Sequence, residues 1–366
     1  MSLISTSLRN RYSQLLSQST ASIHRHKQAD MASELVTLAS TVTSGDARDS
    51  YGIGGVIGEF ERELQTLFDK PACVFLPTGT LAQCAALKCY SELTGRNGVG
   101  LHPTSHLVLH EHDAVQCLWG LTVQSFGKAQ KVVGAEDTDS LDPTTLTAII
   151  VESPMREIGG EIPAWDTLCA LRHWCDEHLV YMHLDGARIW QTMPYYDREL
   201  AEIASLFDSL YVSFYKDLGG ITGAALLGSQ TLIRDTKIWA RRAGGNPITM
   251  YPDVLAARAG LKQHLPEMKE YVAYTRTLCD KLTENGYILI PDKPRAALFH
   301  IEFTIPPEAL AARLCDYAEQ TGIMVLPLPR SGNANGCVCE VSVGDLALRH
   351  APDFWVTHLH RALSSG

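Results

Sequence analysis

The chain has 366 residues, 45% of them hydrophobic and 20% charged, with a formal net charge of −10. That balance describes a soluble globular protein long enough for a large and a smaller domain. It excludes a nucleic-acid backbone as the main partner, because no Lys/Arg-rich run supplies the basic surface, and no stretch approaches the roughly 20 apolar residues of a membrane span.

Residues 1–45 read as a polar, helical segment with Ser/Thr-rich breaks. Arg9 and Arg11 interrupt its start, so it lacks the apolar core of a secretory leader and the cytoplasm is the expected compartment. In EFERELQTLF, Phe60, Leu64, Leu67 and Phe68 then fall on one face of a helix.

From Pro71 to Gly228, β-rich runs alternate with helical patterns, the order of a parallel α/β sheet. Seven runs read as strands: ACVFLP, HLVLH from His106, KVVGA from Lys131, TAIIVE, LVYMHLD, SLYVSF and TGAALLG. Between two of them, PAWDTLCALRHWCDEH places Leu168, Leu171 and Cys175 on one helical face. Residues 46–245 make the large domain. Beyond it come a helix from Pro266 to Asn285, the alternating ALFHIEF, a helix from Pro307, the runs GIMVLPL and CVCEVSV, and a last helix from Pro352. Residues 246–366 therefore predict a smaller α+β domain.

Ten cysteines are scattered through the apolar patterns, as at Cys73, Cys84, Cys169 and Cys279, which fits reduced buried thiols. Cys337 and Cys339 alternate within a strand-like run with no second pair at ligand spacing, so no metal site is expected.

Ligands of an open α/β sheet sit at the carboxyl ends of its parallel strands, and three features lie there. Pro77-Thr78-Gly79-Thr80 opens a helix directly after ACVFLP, and helix-terminal amides with a hydroxyl suit a phosphate. An ordinary N-cap would look the same. Asp185 ends a buried run and needs a positive partner, either Arg188 three residues on or a protonated heterocyclic nitrogen. Lys216 follows SLYVSFY and precedes Gly219-Gly220; near apolar surface its amine turns nucleophilic, whereas a snorkelling surface lysine is the plain alternative. Anchor, electron-sink partner and covalent tether in this order are what pyridoxal phosphate requires.

TGT after a strand, HLDGARIWQ and SFYKDLGGITGAALLG resemble the threonine aldolase/β-eliminating lyase family over about Tyr51 to Gly260. The resemblance implies an α/β, aspartate-aminotransferase-like, pyridoxal-phosphate-dependent transferase fold. Its large domain has a mostly parallel seven-stranded sheet, followed by a smaller α+β domain. It implies Lys216 as the Schiff-base lysine and Asp185 as the pyridine-nitrogen partner. Arg188 would hold the substrate carboxylate beside the cofactor, and Gly79 with Thr80 the cofactor phosphate. His106 would stack on the ring, with His110 and His112 close by as alternatives. Tyr51 opens the segment that reaches a neighbouring subunit's site in a homodimer or homotetramer. The reaction implied is Cα–Cβ cleavage or formation with a β-hydroxy-α-amino acid as the small-molecule partner.

Three positions depart from the family pattern. Met155 stands where the family has a histidine near the substrate hydroxyl, and a thioether takes no proton. Arg156, Glu157, His110 or His112 would have to substitute. Glu340 stands near the expected carboxylate-clamping arginine, leaving Arg295 or Arg330 for that role, and Tyr51-Gly52 continues as Ile53-Gly54 rather than Glu-Asp. These departures keep open β-elimination, transamination, racemisation or decarboxylation of a specialised amino acid. A non-catalytic binding protein on the same fold is a further alternative.

Overall fold

In the computed structural model, which describes residues 3–27 and 30–364, seven strands form one sheet. They are β1 (Ala72–Leu76), β2 (Gly98–Leu101), β3 (Thr122–Ser125), β4 (Leu146–Glu152), β5 (Tyr181–Gly186), β6 (Ser209–Ser213) and β7 (Ala224–Gly228). The order across the sheet is β1-β7-β6-β5-β4-β2-β3, and β7 alone runs antiparallel to its neighbours. Strands β1, β6 and β7 are buried along their whole length, which explains their unbroken apolar sequences.

Two of the seven expected strands are not strands. HLVLH folds as a short helix, with Val108 and Leu109 amides donating to Ser105 O and both side chains exposed. A short apolar run cannot by itself be told from a helical turn. KVVGA buries only Val133 and runs into a turn, where Gly134 N donates to Asp137 Oδ2 at 2.7 Å. Their places are taken by GVGL and TVQS, that is β2 and β3. Gly98 and Gly100 lower strand propensity, yet both are needed: a Cβ would stand 2.7 Å from Thr145 O and 2.8 Å from Ile149 Cγ2 respectively.

The helices that cover this sheet include α1 (Gly55–Phe68) and α2 (Gly79–Thr94). Phe60, Leu64 and Phe68 of α1 are fully buried, and Leu168, Leu171 and Cys175 form the inner face of the helix Trp165–His178. Phe60, Phe75 and Phe214 meet with ring centroids 5.2–6.2 Å apart. Burying each ring stabilises the fold by roughly 1.5–3 kcal/mol.

Contacts divide the chain into two units. The larger comprises Met31–Glu157 and Ile162–Pro266. The smaller gathers the described residues before Met31, Ile158–Glu161 and the chain from Glu267 onward. The boundary thus falls at Pro266 rather than 245, because Gly260 lets the helix Tyr251–His264 approach so closely that a Cβ there would stand 2.0 Å from Leu218 O. Nor do residues 1–45 stand as a segment of their own. The helix Met31–Ser40 joins the larger unit with Met31, Leu35 and Val36 exposed, while the helix Thr6–Gln18 packs on the helix Pro307–Thr321 of the smaller one.

The smaller unit carries an antiparallel sheet of β8 (Ile288–Ile290), β9 (Leu298–Phe303), β10 (Ser331–Asn333) and β11 (Gly336–Ser342), in the order β10-β11-β9-β8. Of GIMVLPL only Ile323–Met324 is a strand, and it pairs in parallel with Ala21–Ser22. The Tyr12 hydroxyl donates to Leu326 O at 2.7 Å, and its ring packs with Cys315, Ala318 and Met324. No helix of the described residues is long and apolar enough to cross a membrane.

Candidate functional site

Lys216 is placed by what precedes it. Phe214 is buried in its aromatic cluster, Phe214 N donates to Gly223 O at 3.3 Å, and Gly220 N donates to Phe214 O at 2.9 Å. The turn Tyr215–Gly219 is therefore pinned at both ends. Gly220 serves that packing rather than a ligand, since a Cβ there would meet Phe214 O at 3.0 Å and Ala257 Cα at 3.4 Å. Lys216 Nζ lies 3.4 Å from Tyr211 Oη and rides over the Tyr211 and Tyr215 rings at 5.7 and 5.5 Å. Burial, aided by the positive charge of Arg188, lowers its pKa to about 8. Asp185, Asp217 and Glu152 act in the opposite sense.

Asp185 sits near the end of β5, only 2% exposed, and its Oδ1 accepts from Ala187 N at 3.1 Å. Its register neighbour on β4 is Glu152. Burial, with repulsion from Asp185, pushes the Glu152 carboxyl up to about 8. Glu152 is then mostly protonated at neutral pH and does not double the charge beside Asp185. Its Oε1 accepts from Arg156 N at 2.9 Å. Arg188 Nε lies 3.8 Å from Asp217 Oδ1, both side chains being buried.

Thr78 caps α2, its Oγ1 accepting from Leu81 N at 3.3 Å, so the first-turn amides of Gly79 and Thr80 face the end of the sheet. Residue 79 is glycine because the ring of Tyr211 occupies the space: a Cβ would stand 2.2 Å from Tyr211 Oη. Thr80 Oγ1 donates to Glu111 Oε1 at 2.8 Å, and His106 Nδ1 lies 2.8 Å from the same oxygen. His106 opens the helix α3 (His106–Leu109), five residues beyond the end of β2. Burial lowers its pKa, Asp185 and Glu111 oppose this, and the charges of Lys216 and His110 add to the lowering. Its imidazole thus shares the field of Lys216 and Asp185.

The fold brings Gly79, Thr80, His106, Asp185, Arg188 and Lys216 to one edge of the sheet, past the carboxyl ends of β1, β2, β5 and β6. Tyr51 is not with them. It is half exposed at φ +51°, its amide donates to Ile248 O at 2.8 Å, and its ring lies 5.7 Å from the Arg241 guanidinium. There it lines a cleft of about 500 Å³ with Phe75, Arg241 and Met250, and Lys216 does not border that cleft.

Several residues of the cluster escaped the sequence reading. Glu152 ends an apolar strand just as Asp185 does, which was a usable signal. Ser213 is a polar residue in a buried strand, and its buried hydroxyl stands against that of Tyr211, to which it is hydrogen-bonded. Two residues after Tyr211, it shares that side chain's face of the sheet. Glu111 and Asp217 gave no local sign. The two arginines considered for a carboxylate clamp are engaged within the smaller unit. Arg330 Nη1 lies 3.1 Å from Glu340 Oε2 and 3.0 Å from His300 Nε2, and Arg295 Nε lies 3.3 Å from Glu161 Oε2.

Comparison with known proteins agrees with this geometry. The model of the β-eliminating lyase family matches residues 28–303. A solved candidate L-allo-threonine aldolase from Listeria monocytogenes superposes with a TM-score of 0.89 at 32% identity, over 97% of this chain and 99% of that one. The low specificity L-threonine aldolase of Escherichia coli K12 is 25% identical over 70% of this chain and 80% of its own length. The aldolase vrtJ of Penicillium aethiopicum is 29% identical over 60% of this chain, a match that takes in only 56% of that relative. The sheet order, the strand-end cluster and the family match lead to one assignment: the chain belongs to the β-eliminating lyase family of fold-type-I, pyridoxal-phosphate-dependent enzymes.

Proposed function

We propose that this chain is a pyridoxal-phosphate-dependent lyase that breaks or forms the Cα–Cβ bond of a β-hydroxy-α-amino acid. The observation that carries the reading is Lys216, an amine with its pKa lowered to about 8 beside the buried Asp185. The residues present fit the cofactor. The buried hydroxyl of Ser213 and the first-turn amides of Gly79 and Thr80 would supply a donor set for a phosphate monoester. Asp185 supplies a buried carboxylate for a protonated ring nitrogen. When bound, the cofactor supplies an electron sink for the pair left at Cα.

Each residue then has a physical task. Lys216 offers a neutral amine as tether. Asp185 would hold a protonated ring nitrogen, and Glu152, neutral beside it, would add no competing charge. His106, held by Glu111, would offer its imidazole to the ring. Arg188, braced by Asp217, binds the substrate carboxylate. Tyr51 lies away from Lys216 in its own chain, which supports a homodimer or homotetramer in which it serves a neighbouring subunit. The cytoplasm is the compartment that fits ten cysteines in thiol form.

The names of the relatives support aldol cleavage: the Escherichia coli protein is a threonine aldolase, and the Listeria protein is described as a candidate L-allo-threonine aldolase. The test is to supply holoenzyme with a panel of β-hydroxy amino acids and to measure aldehyde and glycine together. No aldehyde from any member would end this reading. A Lys216→Ala variant should lose the borohydride-reducible lysine adduct. A second reading, elimination, transamination, racemisation or decarboxylation, draws on Met155, which is buried and carries no proton. In it Lys216 alone moves the proton at Cα, and keto acid without aldehyde would mark elimination or transamination.

A further inference from the structure

Aldol cleavage needs a group that accepts the proton of the β-hydroxyl, and Met155 cannot be that group. Its side chain is 1% exposed and has no proton site. Four residues stand near in sequence or space. Arg156 is a guanidinium, permanently protonated, 3.7 Å from Glu157 Oε1. His112 is exposed at φ +49° in the turn beyond α3. Glu157 is a carboxylate already accepting from its neighbours. His110 differs: its Nε2 lies 3.1 Å from Glu157 Oε1, and its ring centroid is 4.9 Å from that of His106. A carboxylate only accepts, so Nε2 carries the hydrogen and neutral His110 keeps a lone pair on Nδ1. Its side chain is 40% exposed, as is that of His106, so its ring is open to solvent beside the imidazole that shares the field of Lys216 and Asp185.

We infer that His110, oriented by Glu157, is the base that takes the β-hydroxyl proton of the substrate. This rests on the aldolase reading above. The step balances as follows: the hydroxyl proton moves to His110, the O–H pair becomes the second bond of the aldehyde carbonyl, and the Cα–Cβ bond breaks. Its electron pair stays on Cα, which gains a proton to give glycine. Glu157 is a positioning residue. It fixes the tautomer and favours the imidazolium that forms. The charged or titratable groups facing His110 are His106 and Glu111 from its own turn, and Glu157 and Arg156 from the turn after Met155.

The experiment compares wild type, His110→Asn and Glu157→Gln as holoenzymes with matched cofactor absorbance. Two reactions are followed: aldehyde release from β-phenylserine, and exchange of the glycine α-proton with deuterium, which needs no β-hydroxyl. His110→Asn is expected to slow aldehyde release by about 100-fold or more while exchange stays within about threefold. Glu157→Gln should slow aldehyde release by a smaller factor than His110→Asn while exchange stays unchanged. Independently of turnover, it should shift the ring nitrogen NMR signals of His110, because Nε2 loses its carboxylate partner 3.1 Å away. If wild type releases aldehyde and His110→Asn does so equally well, the inference falls and the aldolase reading stands. If His110→Asn loses exchange as well, His110 serves the cofactor and the inference falls. If wild type exchanges glycine but releases no aldehyde, the aldolase reading falls and takes the inference with it.

Discussion

An ammonium group taken from water is disfavoured in its charged form, and at Lys216 burial combines with the Arg188 charge to bring the pKa to about 8. The neutral amine is the nucleophile. Uptake of pyridoxal phosphate by the cofactor-stripped protein should therefore rise with pH and level off just above pH 8, as rapid-mixing absorbance would show. A rate still climbing past pH 9.5 would mean an ordinary lysine. Glu152 gives the opposite sign. Its folded pKa, about 8, lies above the ordinary 4.5, so between those values the folded state holds a proton that the unfolded state has lost. Stability must fall as pH rises through that window. Glu152→Gln keeps an acceptor for Arg156 N and removes the slope. In cofactor-stripped protein, its stability advantage should grow by more than about 1 kcal/mol from pH 6 to pH 8, read by urea unfolding. Lys216 and Asp185 were legible in sequence because a charged residue ending an apolar strand is a local anomaly. The His110–Glu157 pair joins residues 47 apart, and no local pattern relates them.

At the scale of elements, α2 and β6 meet where Gly79 faces the Tyr211 ring. Gly79→Ala forces a Cβ to within 2.2 Å of Tyr211 Oη, and that ring is buried at 2% exposure. The variant should lose about 1–3 kcal/mol in chemical denaturation and bind pyridoxal phosphate more weakly. Unchanged values for both would show that the ring yields. The alternation of strands and helices was readable here, but two strands were assigned to the wrong residues. GVGL carries two glycines, which disfavour strands, yet tight packing against Thr145 and Ile149 demands them. HLVLH was read as a strand, and the difference decides the chemistry. Residues four apart on a strand share a face but stand roughly 13 Å apart. On a helical turn they stack, which is why the His106 and His110 rings meet at 4.9 Å.

At the scale of the whole molecule, the smaller unit is assembled from both ends of the chain. Composition showed that residues 1–45 were polar and helical. It held no sign that the helix Thr6–Gln18 belongs with residues some 300 further on, because that pairing is a tertiary choice. Removing residues 1–27 takes away Tyr12, the Ala21–Ser22 strand and the cover of Cys315, which is fully buried in the intact chain. Cys315 should then react quickly with a thiol reagent, as peptide mass mapping would detect, whereas in the intact protein Cys117 and Cys169 are the exposed thiols. Protection of Cys315 in the truncated chain would show that the helix contributes no cover. The same arrangement sets a timetable for synthesis. A ribosome produces Tyr12 and Ile23 about 300 residues before the partners that complete their burial, such as Met324 and Leu326. The larger unit can close around its own core during that interval, while these apolar side chains stay open to a holding chaperone until those partners emerge.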